Sequence, residues 1–161
     1  MDFCKGGTLL EKLDETQEGL PEAEVKDYFR SLISAIHYCH EVQNIAHRDI
    51  KPENIMLTNH KRDIQLCDFG CSEFFKTGCD KLSKMTKGTY RFMAPEIIKA
   101  GGPDKIVRGR PSDIWAAGVT LYNLMTKRHP FEGKNVIALA ERIVNEMPDL
   151  SQLSQDGGQH D

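Results

Sequence analysis

The most informative run in this 161-residue chain is His47-Arg48-Asp49-Ile50-Lys51-Pro52-Glu53-Asn54. Two shorter runs follow it. Asp68-Phe69-Gly70 starts 19 positions beyond Asp49, and Gly88-Thr89-Tyr90-Arg91-Phe92-Met93-Ala94-Pro95-Glu96 ends 28 positions beyond Asp68. Between the first two stand Ile55-Met56-Leu57 and Ile64-Gln65-Leu66, separated by the polar TNHKRD; this pattern predicts a small hairpin. From Gly70 to Gly88 the chain is polar and irregular, too long for a simple turn, and such loops in compact domains carry function.

Helical signals flank this centre. Thr8-Leu9-Leu10-Glu11 has capping-box spacing and predicts a short helix carrying Leu9, Leu10 and Leu13. Pro21 suits a first helical position, and Val25, Tyr28, Phe29, Leu32, Ile33 and Ile36 then mark one face of a long helix ending near Glu41. Ser112-Asp113 predicts the cap of a helix running to about Lys127, apolar nearly all round and therefore buried. A last helix is predicted from about Asn135 to Asn145, and the polar SQLSQDGGQHD is expected to be a disordered tail.

Composition limits the class. With 39% hydrophobic and 28% charged residues the chain reads as globular, and a net charge of −3 argues against nucleic acid or a membrane surface as partner. The apolar stretch Ile114 to Met125 is shorter than a membrane span, and MDFCKGGTLL lacks the apolar core of a signal peptide. Five cysteines with no C-x-x-C pair read as free thiols in a reducing compartment, so the expected location is the cytoplasm, with the nucleus as the other choice.

In order and spacing the three runs resemble the eukaryotic protein kinase family, with its H-R-D-x-x-x-x-N, D-F-G and A-P-E signatures. The resemblance implies ATP and Mg²⁺ as cofactors. It assigns Asp49 to the base that orients the acceptor hydroxyl, Lys51 to the γ-phosphate, and Asn54 and Asp68 to the metal, whose hardness favours oxygen ligands. Thr89 matches the threonine that bonds this Asp and Lys. The K-P-E-N form resembles serine/threonine kinases, which implies a protein substrate with a Ser or Thr acceptor. Met1-Asp2-Phe3-Cys4 resembles the hinge, so the Asp2 and Cys4 backbones would meet the adenine over Met56. Glu53, grouped by the resemblance with the cofactor-binding residues of this run, either contacts a basic residue of the substrate or is a solvent-exposed or structural Glu.

Arg48 resembles the arginine that pairs with a phosphate on the activation loop. Ser83 and Thr86 are then either targets of an upstream kinase or plain loop hydroxyls. His47 and Phe69 resemble members of the apolar column between the lobes, and Asp113 the aspartate that holds the catalytic-loop backbone. Cys67 reads as a small buried residue or a reactive thiol beside the nucleotide, and His37-x-x-His40 as helix packing or a metal pair. CDFGCSEFF and DIWAAGVTLYNLMTKRHPF look most like the calcium/calmodulin-dependent kinase kinases and related upstream activating kinases, although Tyr90-Arg91 stands where those have Pro-Ala. No basic amphipathic segment follows the last helix, so calmodulin binding is not supported.

The resemblance begins at the hinge and fades near Leu150. The expected fold is therefore mainly α with small β hairpins: the C-terminal, large lobe of a protein-kinase-like fold, with the small lobe and last helices missing. Its partial kinase domain would be 1–150 and its tail 151–161. The family's glycine-rich loop, strand lysine and helix glutamate are not found in the 161 residues, and no arginine after Arg142 offers Glu96 its family partner. Losing one preorganised charge contact costs ~2.7–4 kcal/mol in rate, so the chain alone is expected to have little activity. The alternatives are a pseudokinase-like binding module and a truncated gene product; intact Asp49, Lys51, Asn54 and Asp68 argue against decay of the site.

Overall fold

A computed structural model describes residues 6–58, 63–75, 81–82, 88–100 and 107–154. Its first helix, α1 (Leu9–Asp14), opens on the expected capping box: the Glu11 N–H donates to Thr8 Oγ1 at 3.0 Å, and the Thr8 N–H to Glu11 Oε2 at 2.8 Å. Two of the four orphan donors of the helix are thereby satisfied. Helix α2 (Glu22–His37) buries Val25, Tyr28, Leu32 and Ile36, the stripe read from the sequence. Pro21 is its N-cap, one position earlier than expected.

After His37 the helix widens into a π-turn, Tyr38–Val42. The extra residue per turn carries the adjacent Cys39 and His40 inward together, and π-turns of this kind concentrate at functional sites. His37 is exposed, so it does not pack with His40.

The strands are short and paired in twos. β1 (Ile45–Ala46) pairs antiparallel with β4 (Glu73–Phe74), and β2 (Ile55–Leu57) with β3 (Ile64–Leu66), which is the predicted hairpin. β5 (Lys81–Leu82) pairs with β6 (Val107–Arg108). Helix α3 (Pro95–Ala100) follows the third sequence run.

Helix α4 (Gly109–Thr126) starts three residues before the predicted cap. Neither predicted cap residue caps it. The Ser112 hydroxyl donates back to the Arg108 carbonyl, and Asp113 is engaged outside the helix. α4 is buried on most sides, as its sequence implied, with Ile114 half exposed. Helix α5 (Val136–Asn145) is capped by Asn135, whose Oδ1 accepts the Ala138 N–H. At the start of the expected disordered tail, Ser151–Ser154 form a single 3-10 turn along α4; the rest of that tail lies outside the described residues.

The principal core joins Leu9 and Leu13 of α1, Leu32 and Ile36 of α2, Ile55 and Leu57 of β2, and Leu124 of α4. Two smaller clusters sit around Phe75 with Val107, and around Phe131 with Leu139 and Ile143. The run 47–54 enters from β1, leaves into β2, and lies over α4.

Candidate active site

Asp49 is the hub. Its side chain is almost fully buried, and every oxygen has a donor. Oδ1 accepts from the Thr89 N–H and the Thr89 hydroxyl, each at 3.2 Å. Oδ2 accepts from Asn54 Nδ2 at 3.0 Å and faces Lys51 Nζ at 2.8 Å. Asn54 Nδ2 also donates to the Asp49 carbonyl at 2.8 Å. Lys51 Nζ completes the ring by donating to Thr89 Oγ1 at 2.8 Å. Burial alone would push the Asp49 carboxyl up, but Lys51, Asn54 and Thr89 together outweigh it and hold the group below the ordinary value of 3.8. The carboxylate is thus ionised at neutral pH and fixed in direction.

The local fold follows from the sequence. Pro52-Glu53-Asn54 form a 3-10 turn, with Pro at its first position, and this turn swings the Asn54 amide back onto Asp49. Both acceptors of Nδ2 are oxygens, which fixes the amide orientation and leaves Asn54 Oδ1 directed elsewhere, with no donor among the described residues. Gly88 precedes Thr89 with φ +128°, and a Cβ there would lie 2.9 Å from the Arg48 carbonyl. Only glycine brings the third run this close to the first.

Behind Asp49 the loop is hung on Asp113. Its Oδ2 accepts the His47 N–H at 2.9 Å and bonds His40 Nε2 at 2.8 Å; its Oδ1 accepts the Arg48 N–H at 2.8 Å. Asp113 is therefore a backbone anchor, as the resemblance implied. Sequence reading left His40 with packing or a metal; the structure instead gives it a buried carboxylate partner. Among the described residues no group of His, Cys, Asp and Glu is arranged to hold a metal by itself.

His47, fully buried, donates from Nε2 to the Cys67 carbonyl at 2.9 Å. That oxygen can only accept, so Nδ1 is the acceptor for the Asp49 N–H at 3.3 Å. Its ring meets Phe69 edge-on at 4.7 Å, which joins the second run to the first. Cys67 ties in again by two bonds to the Asn54 carbonyl, from its N–H at 2.9 Å and its thiol at 3.3 Å. Asp68 thus starts one residue from Asn54's own backbone partner. It is exposed, held at φ +57°, and its Oδ1 accepts the Gly70 N–H at 3.1 Å. Asp49, Lys51, Asn54 and Thr89 form one bonded cluster, whereas Asp68 is coupled to it through the backbone.

Arg48, also left-handed at φ +71°, extends its guanidinium to Glu73 on β4 at 2.6 Å. Here a carboxylate meets the arginine that the resemblance pairs with phosphate. Glu73 was not singled out from the sequence, and the only signal was an acid in the strand opposite Ala46. Left-handed backbone at Arg48 and Asp68 is strain, which persists where bonds over-determine it. Met56 is half-buried on β2, bridged to Thr8. Glu53 is exposed and lines a shallow recess with Asp14, Phe92, Lys127 and His129. Glu96 is exposed. Asp2, Cys4, Ser83 and Thr86 lie outside the described residues.

Relatives of this chain carry kinase names. A family model of the protein kinase domain matches residues 1–160. The chain is 39% identical over 144 residues to CBL-interacting protein kinase 10 of Oryza sativa subsp. japonica, covering 89% of this chain and 30% of that protein. It is 37% identical over 146 residues to the calcium/calmodulin-dependent protein kinase kinase cmkC of Emericella nidulans, covering 90% and 27%. With the serine/threonine-protein kinase SRK2B of Arabidopsis thaliana it shares 35% identity over 164 residues, covering 97% and 43%. The chain spans about a third of the length of curated relatives such as the CBL-interacting protein kinases it matches. A hydrogen-bonded Asp49–Lys51–Asn54–Thr89 cluster hung on a buried helix, and a match along nearly the whole sequence, lead to one statement: this mainly helical chain belongs to the protein kinase family.

Proposed function

We propose that the chain is the large-lobe part of a protein serine/threonine kinase, which transfers the γ-phosphoryl of Mg-ATP to a Ser or Thr hydroxyl. The observation that carries this reading is the bonding of Asp49. An ionised carboxylate held from two sides by Lys51, Asn54 and Thr89 is suited to accept the hydrogen of an acceptor hydroxyl and aim its oxygen. Its lowered pKa makes it an orienting group more than a strong base. Lys51 adds positive charge on the same face.

The donor set fits a magnesium nucleotide. Asn54 Oδ1 is turned away from Asp49, and the Asp68 carboxylate is exposed, so both offer the hard oxygens that Mg²⁺ takes. When bound, the metal would neutralise charge on the phosphates; the chain's own part is to hold two oxygens and an acceptor at a fixed separation. The His47–Cys67–Asn54 linkage performs that holding.

The test is transfer from Mg-ATP to a generic Ser/Thr peptide, measured together with the rise in melting temperature at millimolar Mg-ATP. Asp68→Asn is expected to lose both. In a full-length version, Asp49→Asn is expected to lose more than nine-tenths of the transfer and keep the thermal shift. A wild-type chain with no shift, or an Asp49→Asn variant above a tenth of the rate, would overturn the assignment.

A further inference from the structure

Resting on the proposed phosphotransfer, one exposed cation two residues beyond Thr89 bears on which proteins are accepted. Thr89 is bonded to Asp49 through both its N–H and its hydroxyl. The next three residues, Tyr90–Phe92, make one 3-10 turn closed by the Phe92 N–H on the Thr89 carbonyl at 2.9 Å. The turn divides its side chains. Phe92 is buried and meets the His129 ring edge-on at 5.6 Å, while Tyr90 and Arg91 face solvent. A 3-10 turn rises ~2 Å per residue, so the Arg91 backbone stays within a few ångströms of Thr89. An extended peptide advances about 3.3 Å per residue. Residues one or two places from a hydroxyl seated at Asp49 therefore lie within reach of the Arg91 side chain.

The cations of the chain are unequally committed. Arg48 is paired with Glu73, Arg110 with Glu41, and Arg142 with Glu146. Lys51 is engaged by Asp49 and Thr89. Arg91 has no ion pair and no side-chain hydrogen bond among the described residues. Its charge is felt locally: after burial, it is the second cause that lowers the His129 pKa. Beyond Phe92 the recess carries two acids, Glu53 and Asp14, against one cation, Lys127, whose ammonium is engaged by the Asp14 and Thr16 carbonyls, so a second carboxylate is less favoured there than beside Arg91. An acidic residue next to the acceptor is thus favoured on the Arg91 side over the Glu53 side, where acids outnumber bases.

We propose that Arg91 is a specificity-determining residue, selecting Ser/Thr acceptors with an Asp or Glu within about two positions of the hydroxyl. The experiment uses the full chain and Ser peptides that are neutral apart from one Glu or one Lys, placed at each of the two positions on either side of Ser. Binding is read by fluorescence anisotropy and transfer by kcat/KM, at low and high salt. At the responsive position wild type should favour Glu over Lys by about three- to tenfold, and salt should reduce the ratio. Arg91→Ala should bring the ratio near one, Arg91→Glu should invert it, and Arg91→Lys should restore most of it. Transfer to the all-neutral peptide should be unchanged in Arg91→Ala, showing an intact site. A Glu:Lys ratio that does not respond to Arg91→Ala or Arg91→Glu, or wild type that binds no peptide, overturns the proposal. Absent transfer with intact, Arg91-dependent binding would leave the selectivity established, and a missing thermal response to Mg-ATP beside it would count against the phosphotransfer reading.

Discussion

At Asp49, one side chain holds opposing demands in balance. Burial disfavours its charge, and Lys51, Asn54 and Thr89 restore it with a margin. The folded-state pKa lies below the ordinary value, so the ionised form stabilises the fold at every pH above the normal carboxylate range. That contribution is lost as pH falls through the lowered value. The stability difference between wild type and Asp49→Asn is therefore expected to stay constant from pH 8 to about 5 and to shrink only under stronger acid. Urea midpoints across that range would check it, and a difference that vanishes between pH 7 and 6 would mean that another group is responsible.

Individual elements owe their positions to side chains from elsewhere in the chain, and this is where sequence reading thins out. The hairpin, the α1 box and the α2 stripe are local patterns, legible from spacing. So were Asp49, Lys51, Asn54 and Thr89, because their types recur at fixed intervals along the family's motifs. The start of α4 was misplaced because Ser112 and Asp113 look like caps, yet their oxygens serve Arg108, His40 and the 47–48 backbone. The pairs His40–Asp113 and Arg48–Glu73 join residues 73 and 25 positions apart, and no periodicity signals such a bond. Asp113→Ala removes the acceptor of three buried or part-buried donors and is expected to cost about 3–5 kcal/mol, against about 1 kcal/mol for Thr8→Ala at an exposed cap. Equilibrium denaturation of both variants would show the contrast. Equal losses would remove Asp113 from its place as anchor.

Across the whole molecule, the segment between α1 and α2 is clasped to the end of α4. The Leu20 N–H donates to the Leu124 carbonyl at 2.8 Å, and Lys127, left-handed at φ +56°, reaches the Asp14 and Thr16 carbonyls. The clasp depends on Gly19, where an added Cβ would fall 1.8 Å from the Met125 carbonyl oxygen. Gly19→Ala must push backbone from backbone and is expected to destabilise by about 1–3 kcal/mol, lowering the melting temperature although nothing at Asp49 is touched. An unchanged melt would show that this segment yields freely.

The arrangement around Asp113 bears on transplantation. A helix deep in the interior reaches outward to steady two peptide groups of a surface loop, so the loop's shape is not its own property. Anyone grafting the 47–54 octapeptide onto another scaffold would carry over the reagents and leave the jig behind; the smallest portable unit includes α4 and the widened turn that offers His40.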